Sequence, residues 1–287
     1  MSRSVGDALQ DGLALLTSRS IPDARLDTEL LLAHAMGVDR AWLMAHPEAP
    51  LSSSQSQSFE SLVAERATGK PFAYVVGEQE FYGRAFTVSS SVLIPRPDTE
   101  VLVEATLAVL SERAGGRVLE IGVGSGAVIL SLALEWSGAA GSVEWLGIEI
   151  SEEALAVAVR NRTRWGAEAV DLRLGDGLGD FPGSFDVVVV NPPYVEPGDP
   201  RLEDSVARFE PELAFLDRRD GDGLGHYRRY AREVPPRLAP GGTLIVEVGE
   251  DQASAVSELF TAEGGRVQLF KDLAGIERVV RADFDGK

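Results

Sequence analysis

Apolar residues recur at helical spacing through the first seventy residues of the chain. The clearest runs are Val5, Leu9, Leu13 and Leu16, followed by Leu26, Leu30 and Ala33 before Gly37. Positions three or four residues apart share one face of an α-helix, and glycine commonly follows its end. A short helix through Trp42 and another from Phe59 to Gly69 are also predicted, with candidate N-caps in the serine-rich stretch 52–58. We therefore predict a small helical domain over residues 1–70.

The pattern changes between residues 71 and 95, where glycines interrupt aromatic and β-branched residues. Short strands are predicted at Phe72–Val76, Phe81–Tyr82 and Phe86–Val88, with turns at Gly77 and Gly83. Aromatic and β-branched side chains favour strands, so this segment is predicted to be a β-hairpin linker. Pro97 suits the first turn of a helix, and apolar spacing predicts that this helix continues to Leu110.

Strands and helices alternate after Gly116. Short apolar runs predict strands at Arg117–Ile121, Val143–Ile148, Val170–Leu174, Phe185–Val190 and Thr243–Val248. Helical patterns separate the first three runs, and a further one at Gly221–Leu238 precedes the last. This alternation predicts an α/β fold with a doubly wound parallel sheet. The closing runs Arg266–Lys271 and Glu277–Ala282 have no helix between them, which predicts an antiparallel hairpin.

Composition limits the chemistry and the partners of the chain. It has no cysteine and three separated histidines in 287 residues, so disulfides and thiolate chemistry are excluded and no metal site is expected. Acidic residues outnumber basic ones 45 to 27, and a net charge of −18 disfavours nucleic acid as a partner. No apolar run approaches the roughly 20 residues of a membrane helix, and no signal-peptide pattern is present. We expect a cytoplasmic protein without a membrane partner.

The first chemical signal follows the strand predicted at Arg117–Ile121. There the chain turns through the glycine-rich sequence Gly122-Val123-Gly124-Ser125-Gly126. Glycine allows a sharp turn and lets the backbone approach a ligand without an intervening Cβ. The pattern suits the methionine and ribose parts of S-adenosylmethionine, but with Ala127 it also fits a dinucleotide. It predicts a nucleotide-type ligand and leaves the ligand's identity open.

Acidic residues follow the next two predicted strands. Glu149 ends the second strand, where a carboxylate can accept hydrogen bonds from both ribose hydroxyls of either ligand. Asp176 follows the third strand and could accept a hydrogen bond from an adenine amino group. Gly177 beside it would let the adenine ring lie against the backbone. An ordinary turn aspartate explains Asp176 equally well, so both interpretations stay open.

The strongest signal is the sequence Asn191-Pro192-Pro193-Tyr194 after the strand Phe185–Val190. Ligands of doubly wound sheets bind at this edge. The two prolines rigidify the turn and remove its N–H donors, so the Pro192 carbonyl can accept beside the Asn191 side-chain oxygen. Two acceptors suit an NH2 group, and Tyr194 can stack on the planar group that carries it. After a glycine loop and a ribose acid, this clamp indicates a nitrogen methyltransferase.

Several motifs together resemble the release factor glutamine methyltransferase family, PrmC/HemK. They are Asn191–Tyr194, Ile94–Glu100, Gly77–Gly83, Arg208–Glu212 and Asp272–Gly275 followed by Arg278. The similarity spans about residues 20 to 282. The Asn191 motif alone also resembles adenine-specific DNA methyltransferases, whereas Ile94–Glu100 is far more specific to this family.

The resemblance implies a Rossmann-like class I methyltransferase fold that uses S-adenosylmethionine. The implied reaction is N5-methylation of the GGQ-motif glutamine in peptide chain release factors, the expected partners. The implied donor-site residues are Gly122, Gly124, Gly126, Glu149 and Asn191, and the implied amide-binding residues are Asn191, Pro192, Pro193 and Tyr194. Glu120 and Glu149 depart from the family's usual Asp, and Gly177 replaces a common aromatic beside the adenine.

The two domains are expected to have different roles, and that of the N-terminal helices is a hypothesis based on contact area. Residues 96–287 are expected to form the catalytic domain, and the helices of residues 1–70 are expected to recognise the folded substrate, since one glutamine loop offers little contact area. We expect a monomer. Asn191, Pro192 and Tyr194 are the expected catalytic residues.

Three other functions remain open on the sequence alone. An adenine N6 methyltransferase would use the same clamp, but the charge of −18 opposes nucleic-acid binding. A dehydrogenase that uses NAD(P) would explain the glycine loop and Glu149 but leaves the clamp at Asn191 without a role. A non-catalytic adaptor would explain the two-domain pattern, and the intact clamp argues against it.

Overall fold

The computed structural model describes residues 3–113, 115–138, 141–178 and 181–285. The α-helices are α1 (Val5–Ser18), α2 (Ala24–Met36), α3 (Arg40–Ala45), α4 (Ser53–Arg66), α5 (Phe72–Val76), α6 (Glu100–Ser111), α7 (Ala127–Glu135), α8 (Glu152–Trp165), α9 (Asp204–Phe209), α10 (Glu212–Phe215), α11 (Gly225–Glu233) and α12 (Ala253–Ala262). Short 3-10 helices are Pro97–Thr99 and Pro235–Arg237. The strands are β1 (Glu78–Phe81), β2 (Arg84–Thr87), β3 (Gly116–Ile121), β4 (Val143–Glu149), β5 (Val170–Leu174), β6 (Phe185–Val190), β7 (Leu238–Glu247), β8 (Arg266–Lys271) and β9 (Glu277–Phe284).

The chain forms two compact units, and the first contains Met1–Glu78 and Asp204–Phe209. Its helices α1 to α5 surround a buried apolar core that includes Leu16, Leu31 and Phe59. Ser52 caps α4, as predicted: its hydroxyl accepts the Gln55 N–H at 3.2 Å while Gln55 accepts the Ser52 N–H at 2.9 Å. The predicted helical start of the chain is therefore confirmed.

Residues Phe72–Val76 form helix α5, so the strand predicted there is wrong. Pro71 precedes the helix, and its carbonyl accepts the N–H groups of Tyr74 and Val75 at 3.0 and 3.2 Å. Gly77 ends the helix in the left-handed region, with φ of 80°. A proline at the start and a glycine at the end favour a helical turn, and here they outweigh the strand propensity of the residues between them.

The second unit contains a seven-stranded sheet in the order β5-β4-β3-β6-β7-β9-β8, within the described residues. Strands β5, β4, β3, β6 and β7 are parallel, whereas β9 is antiparallel to both of its neighbours. This confirms the predicted doubly wound sheet with an antiparallel C-terminal hairpin. Because β4 and β6 flank β3 on opposite sides, the chain order reverses there, which is where such sheets bind ligands.

The hairpin of β1 and β2 belongs to this second unit from Gln79 onward. Asn161 of α8 is fully buried and holds it: the amide donates to the carbonyls of Thr87 and Ser125 at 2.9 and 2.8 Å. Asn161 also accepts the Thr87 N–H at 2.7 Å. These bonds connect the hairpin to the glycine loop. The division into residues 1–70, 71–95 and 96–287 stays a prediction.

No helix in the described ranges has the length and apolar character needed to cross a membrane.

Candidate active site

A cavity of about 380 Å³ lies at the C-terminal ends of β3, β4 and β6. The predicted site residues that line it are Gly122, Val123, Gly124, Ser125, Glu149, Asp176, Gly177, Asn191 and Pro193. Gly126, Pro192 and Tyr194 lie outside its lining. The structure thus brings the glycine loop, the acidic residue after β4 and the Asn191 amide to one cavity.

Two glycines of the loop leave space on the cavity side. Gly122 and Gly124 have φ of 76° and 54°, and a Cβ at either position would meet no atom within 4 Å. Gly126 differs, because a Cβ there would lie 2.8 Å from Leu130 Cδ1. The first two glycines therefore allow the turn and keep the cavity open, while Gly126 allows close packing at the start of α7.

Glu149 at the end of β4 is buried and held in one orientation. Its Oε2 accepts the Gly124 N–H at 2.8 Å, and its Oε1 accepts the Ser151 N–H at 3.0 Å. A carboxylate has about four acceptor positions, so two bonds leave capacity for a ligand. The side chain therefore stabilises the glycine loop and still presents acceptors to the cavity.

Glu120 of β3 is a buried cavity residue that the sequence pattern did not assign to the site. Its carboxyl accepts the Ile129 N–H at 2.9 Å. That N–H lies in the first turn of α7, whose N-cap is Gly126 and offers no side-chain acceptor. Burial, together with the charge of Glu149, raises the pKa of Glu120 well above its ordinary value. Glu120 thus caps the helix and adds a second carboxyl to the cavity.

Asp176 lines the cavity but already has an ionic partner. Its Oδ1 accepts a hydrogen bond from Arg229 Nη1 at 2.6 Å, and this bond holds the pKa of Asp176 below its ordinary value. Gly177 has φ of 64°, and a Cβ there would collide with the Arg229 guanidinium. Glycine is therefore favoured at position 177 by the left-handed backbone, and a larger residue there would displace the Arg229 guanidinium.

Two aromatic residues of α11 line the cavity as well, and neither was predicted. The rings of His226 and Tyr230 lie 6.1 Å apart. His226 Nδ1 is buried and has no hydrogen-bond partner among the described residues. Burial lowers the pKa of His226, so the neutral ring is favoured. These two side chains provide aromatic surface in the cavity wall, which Gly177 cannot provide because it has no side chain.

Asn191 follows β6 and lies at the cavity with Thr99 and Pro193. Its Nδ2 donates to Thr99 Oγ1 at 3.4 Å. With the NH2 group facing Thr99, the Asn191 oxygen is the end left to accept elsewhere.

Tyr194 is held against the sheet core. Its ring packs on the buried cluster beneath β6 and β7, and its carbonyl accepts a bond from Gln252 Nε2 at 3.0 Å. Burial raises the pKa of the Tyr194 hydroxyl well above its ordinary value. In this structure the ring supports the turn after Asn191, and the stacking role stays a prediction.

Glu210 connects two segments that contribute to the cavity wall. Its Oε2 accepts the Ile94 N–H at 3.0 Å, and its Oε1 pairs with Arg96 Nη2 at 2.5 Å. Arg96 and Pro211 both line the cavity. Glu210 therefore binds the start of the motif Ile94–Glu100, a contact that the positions of these residues in the sequence do not reveal.

Comparisons with known proteins agree with this geometry. Family models match residues 7–77 as the PrmC N-terminal domain and residues 98–208 as the Methyltransferase small domain. The hMettl16 catalytic domain, solved in complex with the MAT2A 3'UTR hairpin 6, has a TM-score of 0.54 at 14% identity and covers 78% of this chain and 82% of its own. Sheet, cavity and family model together define a class I methyltransferase fold.

Similar proteins of known name identify one family within this class. A release factor glutamine methyltransferase from Bordetella pertussis is 41% identical over 92% of this chain and 96% of its own length. A protein of the same name from Xylella fastidiosa is 40% identical over 93% of this chain and 96% of its own length. The chain belongs to the release factor glutamine methyltransferase family.

Proposed function

We propose that this protein transfers a methyl group from S-adenosylmethionine to the N5 atom of the GGQ-motif glutamine in peptide chain release factors. The observation that carries the proposal is the position of Asn191, whose amide lies at the same cavity as Glu149 and the glycine loop. One cavity can thus hold the donor and a side-chain amide side by side. Membership of the release factor glutamine methyltransferase family supports the same substrate.

The cavity residues fit the donor. Glu149 keeps acceptor capacity for ribose hydroxyls, and the absent side chains of Gly122 and Gly124 leave space beside it. His226 Nδ1, buried without a partner among the described residues, offers a further acceptor toward a base. Glu149 also places negative charge where a cationic sulfonium or ammonium group would be stabilised, and the Glu120 carboxyl, whose pKa is raised well above its ordinary value, adds a hydrogen-bonding group. S-adenosylmethionine, when bound, supplies a methyl group activated by its sulfonium.

The chain's own residues orient the acceptor nitrogen. A glutamine amide is a weak nucleophile because its nitrogen lone pair is delocalised into the carbonyl, so its position matters more than its basicity. The Asn191 oxygen accepts a hydrogen bond from the substrate NH2 and favours the positive charge that develops on nitrogen. The carbonyl of Pro192 and the ring of Tyr194 complete the clamp. After methyl transfer the nitrogen loses one proton to water.

Mass spectrometry of a class I release factor tests this function. After incubation with the protein and S-adenosylmethionine, we expect one added methyl group on the peptide that contains the GGQ glutamine. A release factor with asparagine in place of that glutamine should stay unmethylated. Methylation of adenine in DNA or RNA, with an unmodified release factor, would contradict the proposal and support the adenine alternative.

Replacing Glu149 with alanine is expected to weaken donor binding. The change removes a charged acceptor of the ribose hydroxyls and leaves the Gly124 and Ser151 N–H groups without their partner. Loss of such a group costs about 1–3 kcal/mol, so we expect the KM for the donor to rise roughly fivefold to a hundredfold. Steady-state kinetics at varied donor concentration measures this.

The control for this prediction is Glu152→Ala, which removes an exposed acid from the start of α8. It should leave the donor KM unchanged. A large fall in kcat at saturating donor for Glu149→Ala would contradict a role in uniform binding.

Other expectations about partners stay predictions. The net charge of −18 favours a protein substrate over nucleic acid. The monomeric state, the cytoplasmic location and the substrate-recognition role of the N-terminal helices are proposals of the same kind.

A further inference from the structure

Glu247 is a buried carboxyl beside the substrate clamp that the proposed reaction leaves without a role. Strand β7 pairs with β6 in parallel register, with Val246 opposite Val190. Glu247, the last residue of β7, and Asn191, which directly follows β6, come next along the two chains, so they lie side by side at the edge of the sheet. The Glu247 side chain is buried, with 3% of the residue exposed.

Two polar side chains of the cavity interact with this carboxyl. Hydrogen bonding with the Thr99 hydroxyl and with the Asn191 amide favours its ionised form. Thr99 in turn receives the Asn191 Nδ2–H group at 3.4 Å. A threonine hydroxyl can accept one bond and donate another, so it can link the amide to the carboxylate. Asn191, Thr99 and Glu247 thus form one polar cluster.

The buried surroundings of Glu247 destabilise its ionised form. Burial raises its pKa to about 7, although the Thr99 hydroxyl lowers it. The Oε2 atom has no hydrogen-bond partner within the described part of the chain. Burying an incompletely paired carboxyl costs free energy, so packing alone does not account for it. Such groups beside a cavity are typical of functional sites.

Charged and titratable groups face Glu247 from four neighbouring segments. Asp98, just before Thr99, raises its pKa, and Arg278 of β9 lowers it. Arg278 also pairs with Asp98 at 3.0 Å, so the two charges offset one another. The hydroxyls of Tyr194 and Tyr227 stay neutral, because burial raises the pKa of each.

We propose that Glu247 is the positioning residue of the clamp: its carboxylate accepts from the Thr99 hydroxyl, whose oxygen accepts from the Asn191 NH2 group, and so the Asn191 oxygen is turned toward the substrate amide. This inference rests on the proposed function. An asparagine amide has one accepting end and one donating end, and a side chain that can only accept selects the donating end. Glu247 therefore decides which end of Asn191 remains for the substrate.

Protonation of Glu247 removes this selection. A neutral carboxyl can donate a hydrogen bond as well as accept one, so both orientations of the Asn191 amide become possible. The active form is the ionised carboxylate, so kcat falls as the pH falls through the pKa of Glu247. The substrate amide does not titrate in this range, so the enzyme's groups set the profile.

The test is kcat against pH at saturating donor and release factor, for the wild type, Glu247→Gln and Glu250→Gln. Glu250 is exposed and three residues away, so its variant is the matched control. We expect the wild type and Glu250→Gln to lose activity below a midpoint near pH 7. Glu247→Gln should lack this midpoint, and its kcat at pH 8 should be at least tenfold lower. Its donor KM should change little.

Thr99 provides an independent pair of variants. Thr99→Val removes the hydroxyl at nearly constant volume and should lower kcat, whereas Thr99→Ser keeps the hydroxyl and should retain most of it. If circular dichroism shows that Glu247→Gln does not fold, the two Thr99 variants test the proposal instead. Equal kcat values for Thr99→Val and Thr99→Ser would overturn it.

The outcomes distinguish failure of the proposed function from failure of the positioning role of Glu247. A wild type that does not methylate release factor would refute the proposed function itself. A wild type that methylates it, with a Glu247→Gln variant of equal kcat and unchanged pH midpoint, would refute only the positioning role of Glu247.

Discussion

Replacing Asn191 with alanine should lower kcat for release factor methylation roughly a hundredfold to a thousandfold. The side chain lies at the cavity, and its donating end already faces Thr99, so its oxygen is available to hold the substrate nitrogen. Removal of one hydrogen bond that is aimed at the transition state costs about 3–4 kcal/mol. Single-turnover methyl transfer at saturating donor and substrate measures the loss.

Two observations check that this loss concerns the substrate clamp. The Asn191→Ala variant should still bind S-adenosylmethionine in calorimetry, because Glu149 and the glycine loop are unchanged. Asn191→Asp restores an acceptor oxygen and should keep measurable activity, but it lacks the NH2 group that Thr99 receives and so should remain below the wild type. An alanine variant that keeps more than about a tenth of wild-type kcat, a barrier change below ~1.4 kcal/mol, would place the clamp elsewhere.

The strands of the second unit could be predicted because most of the parallel ones are largely buried and carry apolar runs, although the edge strand β5 is partly exposed and mixes apolar with charged residues. The strand predicted at Phe72–Val76 was wrong because local residue types were weighed above the flanking Pro71 and Gly77. Helix α12 was not predicted, although Ala253, Val256 and Phe260 are buried on one of its faces. Its N-cap residue, Gln252, makes no side-chain capping hydrogen bond, so the usual signal for the start of a helix is missing.

The candidate site was predictable only where its residues follow a strand directly. The glycine loop, Glu149 and Asn191 each come at a strand end, and parallel strand ends meet at one edge of the sheet. Thr99 and Glu247 reach Asn191 through the fold, and no local motif indicates that they do. Tyr194 packs against the buried core, and its contact with the substrate stays a prediction.

Replacing Glu247 with glutamine should stabilise the protein at pH 8 and change its stability little at pH 5. Burial raises the pKa of Glu247 from an ordinary 4.5 to about 7, so the folded state binds this proton more tightly than the unfolded chain does. The free energy of unfolding therefore falls as the pH rises from about 4.5 to about 7 and stays lower above that range. Glutamine resembles the protonated carboxyl and avoids the cost, which is about 3 kcal/mol at pH 8.

Urea unfolding of the wild type, Glu247→Gln and Glu250→Gln at pH 5 and pH 8 measures this difference. Glu250→Gln should follow the wild type at both values, because its carboxyl is exposed. A Glu247→Gln variant with the same stability advantage at pH 5 as at pH 8 would show that the charge of Glu247 is not the destabilising element. We expect a variant that is more stable and less active than the wild type above pH 7. Both changes have one cause, because the buried negative charge that selects the orientation of the Asn191 amide also opposes folding.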